Sequence, residues 1–309
     1  MTPQTETVFD NAAWVAAAPR LSVLIPFKGD DPCRLLAALD RKPGPAEIVL
    51  LDDGSNDPGL AQRVRAAVEN LALPARLVTL SCNEGRSKGR NRLVAHARAG
   101  HFLFLDSDML PDADRFLGRW LDLAASKNVP VAFGGFSLLQ CAPRREHALH
   151  RAMAGHSDCL PASERNLTPE KHVFTSNLLV RRDVFEAEAF DEGFAGWGWE
   201  DVEWGMRVAR RWPILHVDNT ATHLGLDTAP VMASKYEQSA ANFARVIAAH
   251  PQVVSTYPSY RAARLLRLAP LRRLWRPLLK AYALAEAAPI ATRAFAMRLY
   301  RAALYAEAV

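Results

Sequence analysis

Residues 102–105 are four consecutive apolar side chains, Phe-Leu-Phe-Leu, and they run directly into Asp106-Ser107-Asp108. A strand with one wet face alternates apolar and polar residues. An unbroken apolar run fits a strand covered on both faces, as parallel strands of an α/β sheet are. In such sheets ligands bind beyond the carboxyl ends of the strands, so this run would carry Asp106 and Asp108 to the place where a ligand sits. Two carboxylates that close repel each other unless a cation lies between them. Hard oxygen ligands with few others from the protein suit Mg²⁺ or Mn²⁺ on a diphosphate. The competing reading is an acidic turn that only ends a strand.

The surrounding sequence repeats the theme. Residues 21–27 (LSVLIPF) and 47–51 (EIVLL) are further apolar runs, and the second ends in Asp52-Asp53-Gly54-Ser55. Gly54 permits the tight turn, and Ser55 or Asp57 can cap a helix over residues 59–70. A helix over 34–39 lies between the two runs. Residues 76–80 supply a third strand, followed by Asn83-Glu84-Gly85 and a basic cluster from Arg86 to Arg92, where a helix begins that leads into the 102–105 strand. Strand and helix alternate at roughly 25–30 residues, the pattern of βαβ units with a parallel sheet. Right-handed crossovers would gather the acidic strand ends at one edge. No G-x-G-x-x-G follows the first strand and no phosphate-loop motif occurs, which argues against dinucleotide and P-loop classes.

Beyond Pro111 a helix to Ser126 and a strand over 129–135 complete the first half. Residues 141–170 are polar, rich in His and Arg and without period, and are expected to form a long loop, a lid over the site. Phe174-Thr175-Ser176-Asn177 leads into a strand at 178–180. The run 194–204 (FAGWGWEDVEW) then combines two tryptophans, Trp197 and Trp199, with Glu200-Asp201 opening a helix over 202–211. Acids in a first turn are favoured by the helix dipole, so capping alone would explain them. Flat indole faces beside them favour a sugar acceptor and its general base. Residues 214–217 form a further strand, and His223 follows, either a ligand or an ordinary histidine near a turn.

The 309 residues, half of them hydrophobic, suffice for one large or two small cores and exclude disordered and fibrous classes. The four cysteines show no C-x-x-C pair, and the first 20 residues have no secretory pattern, so reduced thiols and a cytoplasmic location are expected. No stretch is long and apolar enough for a membrane span. Residues 259–309 hold ten Lys or Arg against two Glu, a balance of +8, so of the net charge of +5 the body before it carries −3. In this tail Leu265, Leu266, Leu268, Leu271, Leu274, Trp275, Leu278 and Leu279 recur at helical spacing between arginines, broken by Pro270, Pro277 and Pro289. Basic amphipathic helices of this kind lie on an anionic bilayer, or pack on the body or a second subunit. Nucleic acid is disfavoured, because the arginines alternate with leucines rather than covering a polar face.

Taken together, Pro26, Asp52-Asp53-Gly54-Ser55, Arg90-Asn91 and Asp106-Ser107-Asp108 resemble the nucleotide-sugar half of family 2 glycosyltransferases with the GT-A fold. Gly196-Trp197-Gly198-Trp199-Glu200-Asp201 resembles the acceptor half of β-1,4-galactosyltransferases and chondroitin-synthase-like enzymes. The resemblance spans residues 21 to 225. It implies a mixed, mostly parallel Rossmann-like sheet flanked by helices, with the amphipathic helices added. It divides the chain into a leader (1–20), a GT-A domain (21–258, with the nucleotide-sugar half 21–135 and the lid and acceptor half 136–258) and the tail (259–309).

By the same resemblance Pro26, Asp52 and Asp53 meet the nucleoside, Lys88 or Arg90 the nucleotide or its phosphates, and Asp106 the ribose or the metal. Asp108 is then the main carboxylate on Mn²⁺ or Mg²⁺, with His223 as a downstream ligand. Asp201 is the base, Glu200 an acceptor-hydroxyl partner, and Trp197 and Trp199 acceptor faces. Trp199 departs from the galactosyltransferase pattern, which has a small residue there. The implied activity is metal-dependent, inverting transfer of a hexose-type sugar from a UDP-sugar to a saccharide or lipid-linked acceptor in envelope or exopolysaccharide synthesis. The enzyme would work at the inner face of the membrane. Retention through Glu200, a sugar-nucleotide pyrophosphorylase and an inactive binding module are the alternatives.

Overall fold

The computed structural model describes residues 5–42, 44–126, 129–270 and 272–309. Residues 1–4 of the leader and Leu271 of the tail's apolar set lie outside them. Strands β1 (Glu6–Asp10), β2 (Leu21–Phe27), β3 (Ala46–Asp52), β4 (Ala75–Leu80), β5 (His101–Leu105), β7 (Val131–Phe133), β9 (Asn177–Arg181) and β10 (Ile214–His216) form one eight-stranded sheet in the order β1-β4-β3-β2-β5-β9-β7-β10. Strands β4, β3, β2 and β5 run parallel, as the unbroken apolar runs require. Antiparallel β1 closes one edge, and β9 enters antiparallel between β5 and β7. Leu103 of β5 pairs with Val23 on one side and Leu179 on the other, and all three are fully buried. Each such side chain contributes about 1.5–3 kcal/mol of burial.

Helices α1 (Cys33–Asp40), α2 (Pro58–Glu69), α3 (Arg86–His96) and α4 (Phe116–Ala125) follow β2, β3, β4 and β6 (Met109–Pro111), completing the βαβ pattern. A second, three-stranded sheet pairs β6 with β11 (Ala221–His223) and β11 with β8 (Phe136–Ser137). Its register sets His223 opposite Met109, the residue after Asp108.

Several expectations need correction. Residues 6–10 of the supposedly loose leader form the edge strand. Asp10 takes two hydrogen bonds of 2.7 Å from Arg76, and the Asn11 amide bonds the carbonyls of Leu71 and Leu73. Trp14 is buried beneath the Arg98 guanidinium, 3.7 Å from its ring centroid. The segment 141–170 is not a loop. It holds a 3₁₀ turn at Arg145–His147, α5 (Ala148–Ala154) and α6 (Ala162–Arg165), and a second turn at Pro169–His172 follows. The apolar residues that fix α5, Leu149 and Met153, are buried against a helical layer that comes much later in the chain, so no local period announces it.

That layer comprises α9 (Ala229–Ala249), α10 (Pro251–Val254), α11 (Pro258–Arg267), α12 (Arg272–Leu284) and α13 (Ile290–Tyr305). α13 packs on α5, α9, α11 and α12 through buried Ala294, Met297, Tyr300 and Leu304. The first part of the tail's alternative, packing on the body, is therefore realised by α13. Two further helices, α7 (Arg182–Ala187) and α8 (Glu200–Val208), flank β9 and the aromatic loop; α8 begins two residues before the expected start.

One buried charge ties the sheet to its helices. Glu47, fully buried in β3, accepts from the Ser22 hydroxyl (2.6 Å) and from the backbone N–H and Nε of Arg98 (both 2.7 Å). Arg98→Met leaves that carboxylate short of its cation, and a loss of about 3 kcal/mol in urea unfolding is expected. A loss below half a kcal/mol (~0.5) would mean that water replaces the guanidinium there.

Candidate active site

The ends of β2, β3 and β5 meet the start of α3, and the acids fall into two groups. Gly54, at φ +72°, turns the chain after Asp53 so closely past the backbone of Cys82 and Asn83 that a Cβ would not fit. The Asp53 carboxylate then accepts from Asn83 Nδ2 (2.6 Å) and from the N–H groups of Glu84 (2.7 Å) and Gly85 (3.2 Å), at the start of α3. Burial raises its pKa against those hydrogen bonds. Asp52 accepts from the N–H of Ser55 at 2.8 Å. Pro26 is half-buried opposite Leu51, and Lys88 is exposed on α3.

One turn into α3 lies Arg90, only 2 % exposed. Its guanidinium bonds Asp106 Oδ1 at 3.2 Å and lies 3.7 Å from both Glu200 Oε1 and Asp201 Oδ1. Burial opposes the charge, but Asp201, Asp106 and Glu200 outweigh it and hold Arg90 above its ordinary pKa. A residue expected at the phosphates is thus turned to three carboxylates, joining the tip of β5 to the first turn of α8. Glu200 is 5 % exposed, and burial and Asp201 raise its pKa against the pull of Arg86 (3.8 Å) and Arg90. Asp201 Oδ2 accepts from the N–H and hydroxyl of Thr175, both at 3.1 Å, while Oδ1, shielded from solvent and 3.7 Å from the Arg90 guanidinium, accepts no hydrogen bond among the described residues.

Asp108 and His223 form the second group. The β6–β11 register brings His223 Nε2 to 3.2 Å from Asp108 Oδ2. Burial works against both charges, yet the pair lowers the pKa of Asp108 and raises that of His223. Gly225 follows so close that a Cβ there would overlap the Asp108 carboxylate. A cleft of roughly 240 Å³ opens beside them, lined among others by Asp30, Asp31, Arg34, Ser107, Asp108 and Gly225.

Among the described residues no three His, Cys, Asp or Glu side chains gather tightly enough to enclose a metal ion. A carboxylate oxygen and an imidazole nitrogen at 3.2 Å nevertheless fit an octahedral ion that takes its other ligands from a diphosphate and water. The attraction of Asp108 that raises the pKa of His223 is the one a divalent cation would use.

The tryptophans are not equivalent. Trp197 lies 6.2 Å from the Tyr236 ring, with the Lys235 ammonium 5.7 Å from its centroid. Trp199, expected as an acceptor face, has its ring packed on Phe243 (4.8 Å) and near Tyr305 (5.9 Å), and its indole N–H donates to the Tyr305 hydroxyl at 3.0 Å. The bulk that departs from the galactosyltransferase pattern is directed into the helical layer. Thr175, Arg86, Asp30, His150 and Tyr305 were not singled out for the site from sequence. His150 lies 5.8 Å from the His223 ring, and burial and that neighbour push its pKa down to about 4. Nothing local distinguishes these residues, because each reaches the site from a separate element.

The sequence pattern of the family described as glycosyl transferase family 2 matches residues 22–187, which contain Asp52, Asp53, Asp106 and Asp108 but neither Asp201 nor His223. A comparison with curated proteins gave no significant match. Among solved structures the chain is similar to the mannosyltransferase PcManGT from Pyrobaculum calidifontis, in complex with GDP-Man and Mn²⁺. That similarity has 18 % identity and a TM-score of 0.57 over 95 % of this chain and 88 % of that one. TarS 1–349 of S. aureus gives 15 % and 0.52 over 94 % and 90 %. GalNAc-T7 with UDP, GalNAc and Mn²⁺ gives 14 % and 0.55 over 80 % and 51 %. At these identities the likeness is one of fold.

Arg90→Met removes the cation from between Asp106, Glu200 and Asp201. A stability loss of about 3–5 kcal/mol in urea unfolding is expected, because buried carboxylates are left uncompensated. Unchanged stability would show that the three acids do not depend on Arg90.

Proposed function

The chain belongs to glycosyl transferase family 2, and from that premise we propose that it moves a hexose-type sugar, with inversion, from a UDP-sugar to a hydroxyl of a saccharide or lipid-linked saccharide. Envelope or exopolysaccharide synthesis is the setting that such an acceptor implies. The observation that carries the reading is the guanidinium of Arg90, shared between Asp106 at a strand end and Glu200-Asp201 in the aromatic loop. It links the acids of a donor side to those of an acceptor side. Structural neighbours bound to GDP-Man or to UDP, each with Mn²⁺, support a nucleotide-sugar donor and a divalent ion in general terms.

In this proposal Pro26, Asp52 and Asp53 shape the nucleoside pocket, Lys88 approaches the phosphates and Asp106 meets the ribose. Asp108 and His223 would hold Mn²⁺ or Mg²⁺, which when bound stabilises the charge left on the departing diphosphate. Thr175 fixes the orientation of the Asp201 carboxylate through Oδ2. The carboxylate then takes the proton of the acceptor hydroxyl as the hydroxyl oxygen attacks the anomeric carbon from the face opposite the diphosphate. Inversion needs only this base, whereas retention through a covalent intermediate needs a second carboxylate at the anomeric carbon. Glu200, buried beside Arg86 and Arg90, is better suited to steadying the loop than to attack. Trp197 is the stronger acceptor face, since Trp199 is engaged elsewhere.

The deciding experiment is a panel of UDP-sugars with Mn²⁺ or Mg²⁺, scored for release of UDP with and without saccharide acceptors; no release from any member would reject the reading. Asp201→Asn is expected to lower kcat by ~10²–10⁴-fold with donor affinity retained. A fully active variant would remove Asp201 as the base. Calorimetry on Asp108→Ala should find no Mn²⁺-dependent UDP binding. Gly225→Ala, which displaces the carboxylate without removing a ligand, should weaken that binding by roughly 10-fold or more. Wild-type binding in the Asp108 variant would take that residue out of the metal site.

A further inference from the structure

We infer that α11, α12 and the first turns of α13 form a surface that docks on an anionic lipid bilayer. On α12 one apolar stripe, Leu279 and Ala283, packs on the helical layer, with Ala283 fully buried. A second stripe steps alongside it by threes and fours: Leu274 and Leu278, each 68 % exposed, and Tyr282, with Pro277, Ala281 and Ala285 exposed between them. The apolar arc of this helix is thus wider than the fold uses. Leu265 (73 % exposed) and Leu268 (83 %) on α11 and Phe295 (61 %) on α13 are exposed as well, on helices that pack with α12 or with its neighbour α13. Scattered exposed leucines are ordinary, but a continuous apolar stripe on a soluble face marks an interaction surface.

Charge complementarity identifies the occupant. Residues 259–309 carry +8 while the rest of the chain carries −3. Arg276 and Lys280, on the other side of α12, are matched by Glu307 (2.6 Å) and Glu237 (2.7 Å). Arg261, Arg264 and Arg298 are exposed beside Leu265 and Phe295 and have no carboxylate partner among the described residues. A second copy of the same face would bring these arginines against their like, which disfavours self-association. Exposed leucines with arginines beside them suit the interface of an anionic bilayer, where the apolar side chains enter the acyl boundary and the arginines meet headgroups. Among the described residues no helix is long and apolar enough to cross a membrane, so the contact lies in the plane of the surface.

The test is flotation of the full chain with vesicles of phosphatidylcholine alone and of phosphatidylcholine with phosphatidylglycerol. It reads no activity, so its failure is separate from failure of the proposed transfer reaction. The wild type is expected to float only with the anionic vesicles, less so at high salt. A variant carrying L274S, L278S and F295S should partition roughly 10-fold or more weakly. R261Q with R264Q should lose about fivefold per arginine at low salt. Circular dichroism and thermal unfolding matching the wild type qualify each variant. The inference is overturned if the wild type stays unbound, if either qualified variant floats as the wild type does, or if light scattering finds a dimer that the apolar variant converts to monomer.

Discussion

A guanidinium sealed among three carboxylates is the constraint on which the rest of the site depends. Taking an ion out of water costs several kcal/mol, and Arg90 at 2 % exposure is stable only because Asp106, Glu200 and Asp201 surround it. Those acids come from the end of β5 and the first turn of α8, so α3, β5 and α8 are held in one arrangement. Asp53 fixes the start of the same helix, one turn before Arg90, by accepting from the N–H groups of Glu84 and Gly85. The group is acidic in balance even with Arg86 beside Glu200, and Asp30 and Asp108 add to it across the cleft. An acidic cleft is a poor host for a diphosphate unless a cation accompanies it, so the electrostatics and the Asp108–His223 pair favour the same ligand chemistry.

The parts of this structure that were legible in the sequence are those determined by local pattern. The runs at residues 21–27, 47–51 and 102–105 announce strands covered on both faces, and each lies in the parallel part of the sheet. The edge strand β1 escaped notice because its stability comes from elsewhere: from the Arg76 pair with Asp10 and from the Asn11 amide on the chain after α2. The large apolar residues of α5, Leu149 and Met153, are buried in a core that α9 and α13 complete, the latter more than a hundred residues later. The acids of the site could be named from their neighbours in sequence. What holds them could not, since Thr175 reaches Asp201 across 26 residues and His223 reaches Asp108 only through the pairing of β6 with β11.

The tail, which composition sets apart from the body, is physically continuous with the site. Tyr305, the last residue of α13, accepts from the Trp199 indole and shares a hydrogen bond of 2.8 Å with Ser239. Its ring stacks on Phe243 at 4.3 Å, and Trp199 packs on the same Phe243. The side chain that immediately precedes Glu200 and Asp201 is therefore anchored to the C-terminal helix.

That anchor explains a local cost. Trp199 stands at φ +77°, a left-handed conformation that disfavours side chains with a Cβ by roughly 1–2 kcal/mol. Glycine, which already occupies positions 196 and 198, would make the turn without strain. It would also leave the start of α8 with no side chain to hold it against the helical layer. An indole there offsets the backbone strain by burying a large ring and satisfying its N–H, and in exchange the first turn of α8 acquires a fixed point outside the Rossmann-like half. The carboxylates beyond it are thus located from two sides: Arg90 and Thr175 on the sheet side, Tyr305 and Phe243 on the helical side. A carboxylate oriented from two independent layers keeps its direction when either layer breathes, which is what the base proposed for the acceptor hydroxyl requires.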